Sequence, residues 1–204
     1  PKKEEEDDPV RKAERELDRK RKDPNFIEYS DLDYDGDDDR EIKRKMIKKG
    51  NLYGIADLKN KVIIPPIYKV IYLDGDKFLI QTNDECGGLL DMDGKELIPF
   101  VYRGTNRLRN NLYKVYDGPK AGIYDIAAKK EVIPPVYKDV QAINDELFLV
   151  MNDQELYGIL NKENKIIYPF VIQPYSLSNW RLSSNDFLVV SRFKDLEFSV
   201  ASLI

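Results

Sequence analysis

Beyond Leu52 the chain is built from short apolar runs separated by polar turns, and this alternation recurs as a unit. Gly54, Gly88, Gly122 and Gly158 each open a run of two mostly apolar residues and an Asp or Asn, as in Gly54-Ile55-Ala56-Asp57 and Gly158-Ile159-Leu160-Asn161. The glycines stand 34, 34 and 36 residues apart, inside the period range of repeat architectures. Asn60, Gly94 and Asn164 then share one slot, and both residue types tolerate positive φ, which predicts a hairpin turn. The third copy has one extra residue and Ala127-Ala128-Lys129 there, so its turn is expected to be wider. A β-branched strand follows and meets Pro65, Pro99, Pro134 or Pro169. Proline cannot donate to a ladder, so it is expected to close that strand. Three residues later come Tyr68, Tyr102 and Tyr137, with Ile172 in the fourth copy.

A further apolar strand lies between copies, at 78–80, 112–116 and 147–150, each preceded by turn residues such as Asp74-Gly75-Asp76 or Asn110-Asn111. One unit is therefore expected to be a three-stranded meander, with 46–49 as a lone strand ahead of the first glycine. Phe187-Leu188-Val189-Val190 and Phe198-Ser199-Val200-Ala201 open a fifth copy with serine in the glycine slot. The fold expected is all-β, an open twisted array of about four to five such meanders, with propeller-like closure as the alternative. Ile63, Leu97, Val132 and Ile167 share the slot expected to point into the core. The segments 69–77, 103–111, 138–146 and 173–186 vary between copies and are expected to be loops gathered on one face.

The first 50 residues hold 15 Lys or Arg and 17 Asp or Glu, whereas the remaining 154 hold only 18 and 20. That contrast divides the chain into a charged N-terminal arm, 1–41, and a β-repeat domain, 42–204. Within the arm, Asp8-Pro9 reads as a helix cap and first turn. Val10, Ala13 and Leu17 recur at helical spacing, Glu16 and Lys20 pair four apart, and Pro24 ends the helix. A short helix with so narrow an apolar stripe is marginal alone, so it is expected to lie against something. Phe26, Ile27 and Tyr29, the densest apolar cluster before the array, are the expected partner contacts of the arm.

Candidate chemistry is sparse. The chain contains no histidine and one cysteine, Cys86. That excludes Ser-His-Asp triads, Cys-His dyads, histidine metal sites, thiolate clusters and an intramolecular disulfide. The glycines are single, so no phosphate-cradling loop is present. Asp31, Asp33 and Asp35, followed by Gly36, match the first half of a calcium loop, but Asp38 and Ile42 occupy its eighth and twelfth positions, where an apolar residue and Glu belong. A solvated acidic linker accounts for them better. The basic stretch 43–49 could attract phosphate, yet the net charge of −4 argues against nucleic acid as a partner. Recurring carboxylates at Asp57, Asp91 and Asp125 are turn residues, so no enzyme activity and no cofactor are expected. No apolar run reaches the ~18 residues of a membrane helix. The chain begins at Pro1 rather than Met, from which a processed, exported form (periplasm or cell surface) is expected ahead of a cytoplasmic one.

The Gly-apolar-apolar-Asp run, the turn and the strand carrying I-P-P-x-Y resemble the WG repeat family, a bacterial β-rich repeat. The resemblance covers 46–172 and, more weakly, 187–204. The tryptophan that names the family is replaced before the glycine by Tyr53, Gly87, Ala121, Tyr157 and Phe198. The resemblance implies a β-repeat fold and leaves function open. The repeated tyrosines could line a face that stacks on sugars, or each could pack over the next copy with its hydroxyl satisfied. Packing is the simpler account, since stacked repeats need a recurring large side chain. The last variable segment carries the single tryptophan, Trp180, beside Arg181, both favoured binding anchors. The function expected is a non-catalytic accessory subunit of a larger bacterial assembly, working through protein–protein contacts. The alternative is a glycan or cell-wall binding module.

Overall fold

The computed structural model describes residues 9–23, 26–32 and 44–174. Helix α1 (Pro9–Arg21) occupies the charged arm, and its Glu16–Lys20 ion pair forms at 2.8 Å. The chain divides into two compact units, one of Pro1–Asp84 with Asp91–Lys95, the other of Glu85–Leu90 with Glu96–Ile204. The other regular elements among the described residues are strands, in four linear antiparallel sheets of four, none closed into a barrel. The first sheet orders β1 (Glu28–Asp31), β2 (Arg44–Lys49), β3 (Leu52–Asp57) and β4 (Val62–Tyr68). The second orders β5 (Val70–Asp74), β6 (Lys77–Gln81), β7 (Gly87–Asp91) and β8 (Glu96–Tyr102). The third orders β9 (Gly104–Arg109), β10 (Leu112–Asp117), β11 (Lys120–Asp125) and β12 (Lys130–Tyr137). The fourth orders β13 (Asp139–Ala142), β14 (Leu147–Met151), β15 (Tyr157–Asn161) and β16 (Ile166–Ile172). The proposed fifth copy lies outside the described residues.

The array is all-β, as expected, but each unit has four strands and not three. The additional strand is the first of each sheet. β5, β9 and β13 lie in segments expected to be loops, and β1 comes from within the arm, pairing Tyr29 with Ile47. These strands sit at sheet edges and, among the described residues, pair on one side only, so they have no need of a long apolar pattern.

The turn slot behaves as its residue types require: Asn60, Gly94 and Asn164 have φ of 66°, 80° and 57°. In the wider third turn Lys129 takes that conformation, at 53°. The carboxylate or amide that ends the preceding strand holds each turn. Asp57 Oδ1 accepts from the Lys59 and Lys61 amides at 2.9 Å, and Asn161 Oδ1 accepts from Glu163 and Lys165.

The prolines do not close their strands. In the first sheet Tyr53 pairs with Tyr68 and Ile55 with Ile64, so the single residue Gly54 faces three, 65–67. The same offset sets Gly88 against 99–101, Gly122 against 134–136 and Gly158 against 169–171. Each proline begins a bulge on an edge strand, where its missing N–H costs no ladder bond. A Cβ on Gly54 would lie 2.5 Å from the Ile64 carbonyl oxygen and 2.7 Å from the Pro66 nitrogen. On Gly122 it would meet the Ile133 oxygen and the Pro135 nitrogen, both at 2.5 Å. Glycine is fixed here by the close approach of the bulged backbone.

A second register shift in the same strands moves the core slot by one residue. Ile64, Ile98 and Ile133 are buried, at 1%, 0% and 0% exposure, opposite Ile55, Leu89 and Ile123. Of the residues expected there, Val132 is buried, Ile63 and Leu97 are half-buried and Ile167 is 41% exposed. In the second unit the main core joins Leu112, Ala121, Ile123, Val132 and Ile133 of the third sheet to Val140, Phe148, Val150 and Leu160 of the fourth.

Two stability differences follow. Ile133→Ala should cost about 2–5 kcal/mol, and Ile167→Ala about 0.5 kcal/mol or less, measured as shifts in urea midpoints. Gly122→Ala should cost about 1–3 kcal/mol or more through overpacking. A Gly122→Ala protein that melts like the parent would remove the close-approach argument.

Candidate binding surface

The recurring tyrosines turn inward in the second unit. Tyr102 is 5% exposed and its hydroxyl donates to Glu131 Oε1 at 2.6 Å. Its ring meets Tyr124 edge-on, with centroids 6.3 Å apart. Burial first, and Glu131 second, push its hydroxyl well above the ordinary phenol range. Tyr137 stacks on Phe170 at 6.2 Å and directs its hydroxyl to Asn164 Oδ1 at 3.4 Å. Both contacts reach the following copy of the repeat. Tyr68 is half-buried.

Polar side chains also tie the third sheet to the fourth. Asp125 is only 5% exposed. It accepts from the Ala127 and Ala128 amides on Oδ1 and faces Lys162 Nζ at 3.4 Å on Oδ2. Asn110 donates to Asp145, and Lys120 pairs with Asp153. Asp139 is half-buried and gathers three donors. Lys114 Nζ donates to its Oδ1, while Gln141 Nε2 at 3.0 Å and the Tyr157 hydroxyl at 3.2 Å donate to Oδ2. Burial, the largest single influence, pushes the Asp139 carboxyl up. The hydrogen bonds from Lys114 and Gln141, with the Lys114 charge and Tyr157, outweigh it, and the net pKa is lowered. The Tyr157 hydroxyl is pushed up to about 12 by burial and the Asp139 charge.

Besides Tyr29 and Tyr72, the large apolar side chains that the strands leave in water are aliphatic. Ile67, Val101, Val136 and Val171 are 52%, 70%, 56% and 57% exposed. All four occupy the same slot, the last residue of the bulge opposite the glycine. The I-P-P-x-Y pattern contains this position, but only the bulge geometry distinguishes it from a core position.

Several expected site residues are placed by the structure. Phe26 and Ile27 are half-buried in the coil between α1 and β1, and Tyr29, on β1, is 37% exposed. Arg21 anchors this region by a two-pronged contact to Glu28, at 2.7 and 3.1 Å. Asp31 ends β1. Asp33, Asp35, Trp180 and Arg181 lie outside the described residues. Among the described residues no group of three or more His, Cys, Asp or Glu could hold a metal ion, and no helix is long and apolar enough to cross a membrane.

The Asp139 network gives a pH signature. A lowered carboxyl pKa stabilises the fold above the unfolded value of about 3.9. That contribution fades as pH falls through the lower, folded value. Asp139→Asn should therefore lower the melting temperature at pH 7 and flatten its decline between about pH 5 and pH 2. Parallel melting curves for the two proteins across that range would contradict the assignment.

Comparison with curated proteins gives no match. Solved structures show partial likeness. The N-terminal domain of Nup159 is 13% identical, with 66% of this chain and 43% of that one covered and a TM-score of 0.35. HIRA(644-1017) is 6% identical, with 71% and 56% covered and a TM-score of 0.38. The WD40 β-propeller domain of Doa1 is 8% identical, with 61% and 50% covered and a TM-score of 0.32. The chain spans less than half the length of the first of these structures. The model of the WG containing repeat matches residues 53–86 and 122–154. Those two segments carry the glycine, the bulge and the tyrosine of the first and third sheets, and the intervening and following sheets repeat the same geometry. These two segments of the chain are WG repeats.

Proposed function

We propose that this protein is a non-catalytic interaction module, an accessory subunit of a larger bacterial assembly, that holds a protein partner on its bulge aliphatics. One observation carries the reading: the same slot is aliphatic and more than half exposed in every described copy. A single exposed valine needs no explanation, but in the second unit Val101, Val136 and Val171 recur at the repeat period. Burying such a side chain against a partner is worth about 1.5–3 kcal/mol. Glycan recognition by the repeated tyrosines would need open ring faces. Tyr102 is buried and the Tyr137 ring is covered by Phe170, which favours the protein-binding reading.

The arm supplies a second contact. Val10 is 62% exposed on α1, Ala13 is exposed beside it and Leu17 is half-buried. That stripe, with Phe26, Ile27 and Tyr29, presents apolar surface on a strongly charged background. Trp180 and Arg181 would add anchors from the last variable segment.

The test is recovery of partners by the tagged full chain from its native cells. Val101→Glu, Val136→Glu and Val171→Glu together should leave the thermal transition within a few degrees of the parent, since exposed sites cost little, and should abolish recovery of the partner. Removing residues 1–23, which spares β1, should weaken recovery without altering the transition. Full recovery by the triple variant would end the proposal.

A further inference from the structure

The first strands of the four sheets differ in charge. β1 carries Glu28 and Asp31, β5 carries Asp74, and β13 carries Asp139, with no basic residue on any of them. β9 reverses this: its only charges are Arg107 and Arg109, and Arg103 immediately precedes it. Residues 97–116 contain no Asp or Glu at all, in a chain with 37 acidic residues and a net charge of −4. All three arginines are exposed. Arg109 also meets Asp145 Oδ1 at 3.1 Å while remaining about half exposed.

β9 is also an edge. β10 pairs with its inner side, and among the described residues no strand pairs with its outer side. An exposed edge offers a row of backbone donors and acceptors to an incoming strand. Proteins commonly blunt such an edge with charge, and uniform positive charge rejects basic segments while attracting acidic ones.

We propose that the outer edge of β9 binds an acidic, extended segment of another protein as an added strand, with its carboxylates on Arg103 and Arg107, which the register sets on one face of the sheet while Arg109 lies on the other. Backbone pairing supplies register, and the guanidinium groups select carboxylates, which they can grip with two parallel hydrogen bonds. Two arginines on one face of an edge suit a short peptide better than a nucleic acid. β9 carries no aromatic side chain on which bases could stack, and a polyanionic backbone is normally followed by a longer basic track. The inference specifies the chemistry of one partner segment and extends the protein-binding reading. Its site is separate from the bulge aliphatics.

The experiment uses the full chain and a labelled peptide of alternating Glu and Thr, about nine residues long, the length of a long strand, followed by fluorescence anisotropy. Binding should weaken steeply with added salt. Replacing every Glu by Gln, or methylating alternate backbone nitrogens of the peptide, should each weaken it at least about tenfold. Arg107→Gln with Arg103→Gln should do the same at an unchanged melting temperature. The peptide controls keep the test decisive even where that variant fails to fold. Val101→Glu, Val136→Glu and Val171→Glu should leave peptide binding intact, so failure at β9 and failure of the aliphatic surface are separable. Three results would overturn the proposal. One is absence of binding by the Glu-Thr peptide. Another is equal or tighter binding of single-stranded oligo-dT, which would make this a nucleic-acid surface. The third is self-association of the chain that the arginine variant abolishes, which would make the occupant a second copy.

Discussion

The approach of one bulged edge strand to one glycine organises each repeat. Two extra residues opposite the glycine lift the backbone out of the sheet, and the carbonyl and proline nitrogen of the bulge fall where a Cβ would stand. In the second and fourth sheets Phe100 and Phe170 take the place of the second proline and crowd Gly88 and Gly158 with a ring edge instead. Three consequences come from this one contact. The following residue is pushed into water, giving the exposed aliphatic slot. The tyrosine or isoleucine after it returns to the ladder opposite the residue before the glycine. In the first three sheets the core position moves to the isoleucine just before the bulge.

Apolar packing between neighbouring sheets does most to hold the second unit together, because its residues are almost completely removed from water. The polar ties work differently. Exposed pairs such as Lys138–Glu155 contribute little, because water screens them. Asp125 and Tyr102 are enclosed, and each has its partners supplied by the adjoining turn or the next copy. A buried polar group that loses its partner is costly, so these contacts penalise misalignment more than they add stability.

The repeat period, the turn slot and the all-β class were legible because each depends on local chemistry that survives in any context. Asn60 and Gly94 adopt positive φ for reasons contained within a few residues. The core slot was not legible. Ile63 and Ile64 are adjacent, equally apolar and β-branched, and only the cross-strand register decides which is buried. The first strands were missed for a related reason: Gly-Thr-Asn-Arg-Leu-Arg is polar enough to pass for a loop and becomes a strand because β10 offers it a ladder. The exposed aliphatics were hidden by the same ambiguity, since Val101 and Val136 sit inside a strand whose alternation the bulge interrupts. Tyr102 and Tyr137 were legible as packing residues because a phenol needs a hydroxyl partner and a large apolar neighbour, and the following copy provides both.

Repeats built to one pattern face a difficulty that single domains do not, since any sheet could in principle pack beside any other. The Lys114–Asp139–Tyr157 network addresses it at the junction of the third and fourth sheets. Val115 pairs with Gly122 as Ile47 does with Gly54 and Val150 with Gly158. The position of Lys114 is therefore occupied by Met46 in the first sheet and Leu149 in the fourth. Asp139 likewise stands where the other first strands place Glu28, Val70 or Gly104. Lys114 set against Val70 or Gly104 would keep its charge with no carboxylate to accept it. An uncompensated charge in that half-buried position is far more costly than the loss of any surface pair. Placing Lys114 where other copies have Met46 or Leu149, and Asp139 where the second and third sheets have Val70 and Gly104, thus disfavours setting the third sheet beside either of those first strands, which the shared glycine-and-bulge pattern cannot do by itself.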